Sequence, residues 1–217
     1  MKRMLRLCLL LVTVLFFAFG RPASAQPVGK ANADFPNLKP NRQETAWGRL
    51  VADALQSAGT ADMAVINAGA LRSGTLEAGP VESEDIASLL SFGEDDVVTL
   101  SLSGAQIRAA LERAASAYPT GSPAFLHCAG AIARFDTNAP SGKRVTSIKV
   151  KGNVLDDQTT YTVAMPVSLS EGAAGYFNIW SGAKAKASNQ SLQSAIAAYI
   201  RAKGEVSPEA EARFGPG

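Results

Sequence analysis

The residues best suited to chemistry lie in one short stretch, Asp62 to Arg72, which reads DMAVINAGALR. An apolar run from Met63 to Ile66 breaks at Asn67 into small residues around Gly69 and ends on Arg72. Where a strand stops in small residues, backbone N–H groups can approach a ligand closely. The Asn amide then offers a donor and an acceptor, and the Arg offers a planar fork. A plain tight turn with a solvated Arg has the same local pattern. The stretch therefore nominates a binding site, and the rest of the chain has to decide between the two.

Other clusters carry less. His127 and Cys128 are adjacent, in a strand-like run from Ala124 to Cys128 where neighbours point to opposite faces. The expectation there is a small buried thiol beside a surface or satisfied histidine, not a dyad. Asp95-Asp96 and Asp156-Asp157 are consecutive pairs, so their carboxylates diverge as turn charges do. A two-metal hydrolase needs several His, Asp and Asn side chains around ions about 3.5 to 4 Å apart, and this chain has one histidine. It contains no Gly-rich Walker loop and no Gly-x-Ser-x-Gly elbow. These residues point to binding, with no catalytic residue, no metal ligand and no cofactor expected in this chain.

The elements that must position the site follow from periodicity. Trp47, Leu50, Val51, Ala54, Leu55 and Ala58 make one apolar stripe on a helix from Glu44 to about Gly59, leading into the Met63 strand. Ser83 is placed to cap a short helix with Ile86, Leu89 and Leu90 facing inward. Asp96 to Ser103 alternates as a half-buried strand, and Gly104 opens a helix with Ile107, Ala110, Leu111 and Ala114 on one face. Strand-like runs follow at Ala124 to Cys128, Ala131 to Phe135, Arg144 to Val150 and Thr159 to Met165, which suggest consecutive strands of a mainly antiparallel sheet. A closing helix is expected from about Asn189 to Lys203. Uneven interleaving of helices and strands points to an α/β (mixed, α+β-like) fold, a mixed sheet with packed helices.

With 217 residues, 47% apolar and 18% charged, the chain suits one domain with a proper core. Lys2, Arg3 and Arg6 precede an apolar run from Leu7 to Phe19, and Ala23-Ser24-Ala25 follows. Residues 1–25 are thus read as a signal peptide cleaved after Ala25, which implies a periplasmic or secreted protein. No later segment approaches the roughly 20 apolar residues of a membrane span. Those 25 residues carry four cations and no acid, so the formal net charge of +2 becomes −2 on cleavage. That balance gives no support to nucleic-acid binding. Only Cys128 remains, so no internal disulfide is expected. Residues 26–43, rich in Pro, Asn and Lys, read as a linker or extended arm, and residues 44–214 as the domain.

In order, the chain presents ETAWGRLVADAL, VINAGALR, LLSFG, VVTLSLSGAQIRAALE, FLHCAG, VLDDQTTYTVAM, EGAAGY and AIAAYIRAKGEVSP. This succession resembles the C-terminal domain of the 5'-nucleotidase and UDP-sugar hydrolase family, from about Glu44 to Phe214. The resemblance implies a mixed-sheet domain that supplies the nucleoside-binding half of an active site. In that family a separate metallophosphatase domain supplies two metal ions and the attacking water, and no such half is recognisable in this sequence.

The family's Asn-Gly-Gly-Gly-Ile-Arg motif matches Asn67 to Arg72, which implies substrate-binding roles for Asn67, Gly69 and Arg72, with Ala68 and Ala70 as departures. A base-stacking phenylalanine matches Phe92, a Ser-Gly glycine matches Gly130, and Arg42 stands near an expected upstream arginine without aligning cleanly. The family's second stacking phenylalanine and ribose-binding aspartate are replaced by Ser168 and Ala174, a loss that Tyr176 or Phe177 is placed to offset in part. Phe92 also fits an ordinary core aromatic. The resemblance implies a nucleoside, nucleotide or UDP-sugar ligand and nucleotide catabolism. It leaves open a separate metallophosphatase subunit as partner, and a structural or interaction domain that has lost the ligand.

Overall fold

The computed structural model describes residues 26–217. The export segment expected over residues 1–25 lies outside the described residues. At the centre is a five-stranded mixed sheet of β3 (Met63–Asn67), β6 (Asp96–Ser103), β7 (Leu126–Ala129), β11 (Thr160–Pro166) and β12 (Lys184–Ser191). Its order is β12-β6-β11-β3-β7. Within it β3 and β11 pair in parallel; β6 runs against β11, β7 against β3 and β12 against β6.

Both faces of this sheet are covered, which is why β3 reads as an unbroken apolar run. Ala64 and Ile66 face a cluster built with α1 (Ala46–Gly59) and α6 (Leu192–Lys203). Met63 and Val65 face the opposite cluster, built with α3 (Gly104–Ala115). The helix α1 starts where Thr45 caps it, its side chain accepting the Gly48 N–H, and stops at Thr60 in the left-handed region, φ 48°. Trp47, Leu50, Val51, Ala54 and Leu55 form its buried stripe, as the spacing predicts. The same holds for α3, where Ser103 and Gln106 complete a capping box.

Smaller sheets surround this core. One is four-stranded, in the order β10 (Asn153–Val154), β9 (Val145–Val150), β8 (Ala131–Phe135), β14 (Phe214–Pro216). Another is β13 (Glu205–Val206), β1 (Gly29–Ala31), β5 (Gly79–Val81), and the last pairs β2 (Phe35–Asn37) with β4 (Gly74–Leu76). Three short helices complete the fold: α2 (Ser83–Ser88), α4 (Val167–Ser170) and α5 (Phe177–Trp180).

Several expectations need correction. Residues 26–43 are extended but are no free linker, because β1 and β2 are paired into sheets and Val28, Ala31 and Phe35 are buried. Three-residue strands are too short to show alternation. The four strand runs expected in one sheet divide between two: β7 and β11 join the central sheet, β8 and β9 the four-stranded one. Gly130 makes the switch, with φ +69°, where a side chain would put Cβ 2.3 Å from the Asp62 carbonyl. The last helix begins at Leu192, because Lys184–Ser191 is an exposed edge strand with no apolar residue larger than Ala to mark its period. The cap of α2 is Glu82, one residue before Ser83, boxed with Asp85.

Candidate functional site

Chain direction within the central sheet brings five strand ends to one edge. Asn67 at the end of β3 lies opposite Leu126 at the start of β7, and Pro166 at the end of β11 lies opposite Val97 near the start of β6. Ser191 at the end of β12 pairs with Asp96. The loops 68–72, 91–95, 119–125 and 167–176 therefore open on the same side. An edge where loops leave strands over a rigid sheet is a common place for ligand contacts.

Four of the expected residues meet there. Asn67 is 6% exposed; its Nδ2 donates to the Pro123 carbonyl at 3.2 Å, and its Oδ1 is buried with no hydrogen-bond partner among the described residues. Gly69 N donates to the same carbonyl at 3.1 Å. A Cβ at Gly69 would sit 3.0 Å from Asn67 Nδ2, so the small residue is what lets the turn close over the amide. The turn continues into a short antiparallel contact: Ser91 N donates to Ala70 O, Arg72 N donates to Leu89 O, and Leu71 bridges Leu90. This sets Phe92 beside the turn that carries Arg72. Phe92 is 61% exposed and Arg72 is exposed, so Phe92 is no core aromatic. A large exposed ring and an unpartnered buried amide oxygen are each features that core packing does not explain.

Arg42 joins through a neighbouring loop. A Cβ at Gly121 would lie 2.8 Å from Arg42 Cγ, and Ser122 N donates to Asn41 O at 2.8 Å, one residue before Pro123. Gly130 does not join. It follows β7 at the opposite end of the sheet, against Asp62 and Met63, where it lines a separate cavity of about 390 Å³ with Arg134 and Lys149.

The positions that depart from the family pattern are at the site edge too. Asp95, whose N–H donates to the Phe92 carbonyl, accepts from Ser168 N at 3.3 Å through either oxygen. Ala174 has left-handed backbone, φ 56°, and its carbonyl is held by the Arg113 guanidinium, with Nε at 2.8 Å. Tyr176 cannot supply a second stacking surface. It is fully buried, stacked on Trp180 at 5.2 Å, with its hydroxyl donating to Ala124 O at 2.6 Å. Phe177 is the free ring, 69% exposed.

Sequence reasoning missed Asn37, a polar residue at the end of a three-residue strand, and read Asp95 only as a turn charge. His127 proves to be a satisfied histidine, fully buried between Thr45 N and Pro40 O. Cys128 is buried and its thiol is pushed up by burial, as an inert thiol is. The described residues hold no group of three or more His, Cys, Asp or Glu that suits a metal ion.

The comparisons with known proteins give the family and the fold. The family described as 5'-nucleotidase, C-terminal domain, matches residues 27–181. The chain belongs to that family. A 5'-nucleotidase-related protein of Glossina morsitans morsitans is 31% identical over 210 residues, covering 86% of this chain and 37% of that protein. The snake venom 5'-nucleotidase of Naja atra is 27% identical, covering 70% of this chain and 31% of that protein. The fold is shared with a 5'-nucleotidase precursor from Thermus thermophilus at TM-score 0.81 and 24% identity, over 88% of this chain and 39% of that one. It is shared also with the NAD nucleotidase of Haemophilus influenzae, at TM-score 0.74 and 20% identity, over 88% and 38%. This 5'-nucleotidase C-terminal domain thus spans less than two fifths of each of these four proteins. The family match also begins inside the segment expected to be a linker, in keeping with its pairing into sheets.

Proposed function

We propose that this domain binds a nucleoside or nucleotide at the sheet edge formed by Asn67, Gly69, Arg72 and Phe92, with Arg42 at its side, as the substrate-binding half of a nucleotide hydrolase. The observations that carry the proposal are the exposed Phe92 ring, next to Ser91, which bonds the Asn67–Arg72 turn, and the buried Asn67 Oδ1, which has no partner among the described residues. The ring offers a face to a base, the amide oxygen accepts from a base or ribose donor, and the guanidinium groups suit phosphate. A nucleotide carries all three features, and a UDP-sugar shares them. The metal centre of such a hydrolase would come from a metallophosphatase partner, and the chain would be exported, with Gln26 as its first residue after cleavage.

A thermal-shift series with nucleosides, nucleotides and UDP-sugars tests the function. Specific binding raises the Tm in step with ligand concentration, and no shift with any of them removes the proposal. Mass spectrometry of the exported protein tests the cleavage point.

A further inference from the structure

Beneath the site runs a buried chain of polar groups that neither packing nor helix capping requires. His127 Nδ1 accepts the Thr45 N–H at 3.2 Å, and its Nε2 faces the Pro40 carbonyl at 3.1 Å. Because Nδ1 must accept, Nε2 carries the hydrogen and donates it to Pro40. The ring thereby ties together both ends of the loop whose tip carries Arg42. Thr45 Oγ1 accepts the Gly48 N–H at 3.0 Å and donates to Asn37 Oδ1 at 2.6 Å. That fixes the Asn37 amide, whose Nδ2 donates to the Arg72 carbonyl at 2.6 Å. The Asn37 carbonyl in turn accepts from Ser73 Oγ at 3.2 Å. Asn37 and His127 are fully buried and Thr45 is 5% exposed.

A helix cap needs only the bond from Thr45 to Gly48, and a buried histidine needs only its own two partners. The remaining links are directional, and they join Thr45, at the end of the Arg42 loop that His127 braces, to the backbone of the segment that carries Arg72. Buried polar groups are costly unless every member is satisfied, and a satisfied set fixes one geometry. We infer that His127, Thr45 and Asn37 are positioning residues, a relay that presents the Arg42 and Arg72 guanidinium groups to the anionic end of the ligand. This inference rests on the nucleotide-binding proposal for what is bound, but not for the mechanical link.

The test uses the full chain and the variants Asn37→Asp, which puts an acceptor against the Arg72 carbonyl, and Thr45→Val, which removes the hydroxyl at constant shape. Thr45→Ser restores that hydroxyl. Calorimetric titration with AMP and with adenosine separates anion recognition from the rest of the site. Asn37→Asp and Thr45→Val are expected to weaken AMP about tenfold and adenosine less than about twofold, with Thr45→Ser close to wild type. Equal losses for both ligands, or none, overturn the inference. Amide hydrogen exchange provides a readout independent of ligand. Residues 39–45 and 70–74 are expected to exchange about tenfold faster in both variants while β3 and β11 are unchanged. Should wild type bind neither ligand, the nucleotide proposal fails and the exchange result alone decides the relay: unchanged exchange at 70–74 refutes it.

Discussion

His127 shows how much one side chain can carry. Its burial, with no acid placed against the ring, pushes its pKa down to about 3, and the Arg49 charge adds to that shift. The folded value lies below the unfolded one of about 6.5, so the unfolded chain takes up the proton first. The stability this histidine contributes is complete above about pH 6.5. It is lost progressively as the pH falls toward 3, at up to about 1.4 kcal/mol per unit. Glu44 and Asp53, raised by burial, act in the opposite sense as they protonate. Asp62, lowered by hydrogen bonds from Thr162, adds a loss only in the carboxylate range. Glu44 and Asp53 titrate in wild type and in His127→Gln alike, so comparing the two proteins' urea midpoints between pH 7 and pH 5 isolates the histidine. Wild type is expected to lose stability over that window and His127→Gln to lose less. Parallel slopes for the two proteins would show that the ring does not titrate as its burial requires.

Among the elements, α1 is where local rules and the site conflict. A glycine inside a helix costs up to about 1 kcal/mol relative to alanine, yet Gly48 is the third residue of α1. A Cβ there would lie 2.0 Å from His127 Nδ1. The absent side chain makes room for the ring that braces the Arg42 loop. Gly48→Ala is expected to destabilise by about 1 to 3 kcal/mol despite its helix propensity, read as a lower urea midpoint, and a neutral or stabilising result would mean the contact is soft. The stripes of α1, α3 and α6 and the alternation of β6 were legible because they repeat one period over enough residues, and β3 and β11 because they carry short apolar runs. The pairings of β1, β2 and β14 were not, since three residues show no period and their partners lie far away in sequence. Asn67, Gly69 and Arg72 could be grouped from sequence because they form one turn. Phe92 was ambiguous until its exposure was known, and Gly130 was misplaced because sequence order does not reveal which end of a sheet a turn occupies.

For the whole molecule, the proposed division of labour leaves binding to this domain and the metal centre to a partner. The chain holds a single histidine, and a two-metal centre needs more nitrogen and oxygen ligands converging than the described residues bring together. Purified protein given AMP with Mn²⁺, Zn²⁺ or Mg²⁺ is expected to show no hydrolysis that a chelator abolishes. Chelator-sensitive turnover that survives purification would contradict this. Affinity should also be modest. Base stacking is worth roughly 1 to 3 kcal/mol per base, and the proposed site offers the Phe92 ring, with Ser168 where the resemblance implies a second.

Calorimetric titration of AMP into wild type, Phe92→Ala and Ser168→Phe tests the central claim most directly. Phe92 is exposed and supports no core, so its removal leaves the fold intact and reads binding alone. Weak, saturable binding to wild type is expected, with loss of it in Phe92→Ala and tighter binding in Ser168→Phe. Tight binding that Phe92→Ala leaves unchanged would place the ligand elsewhere and contradict the account.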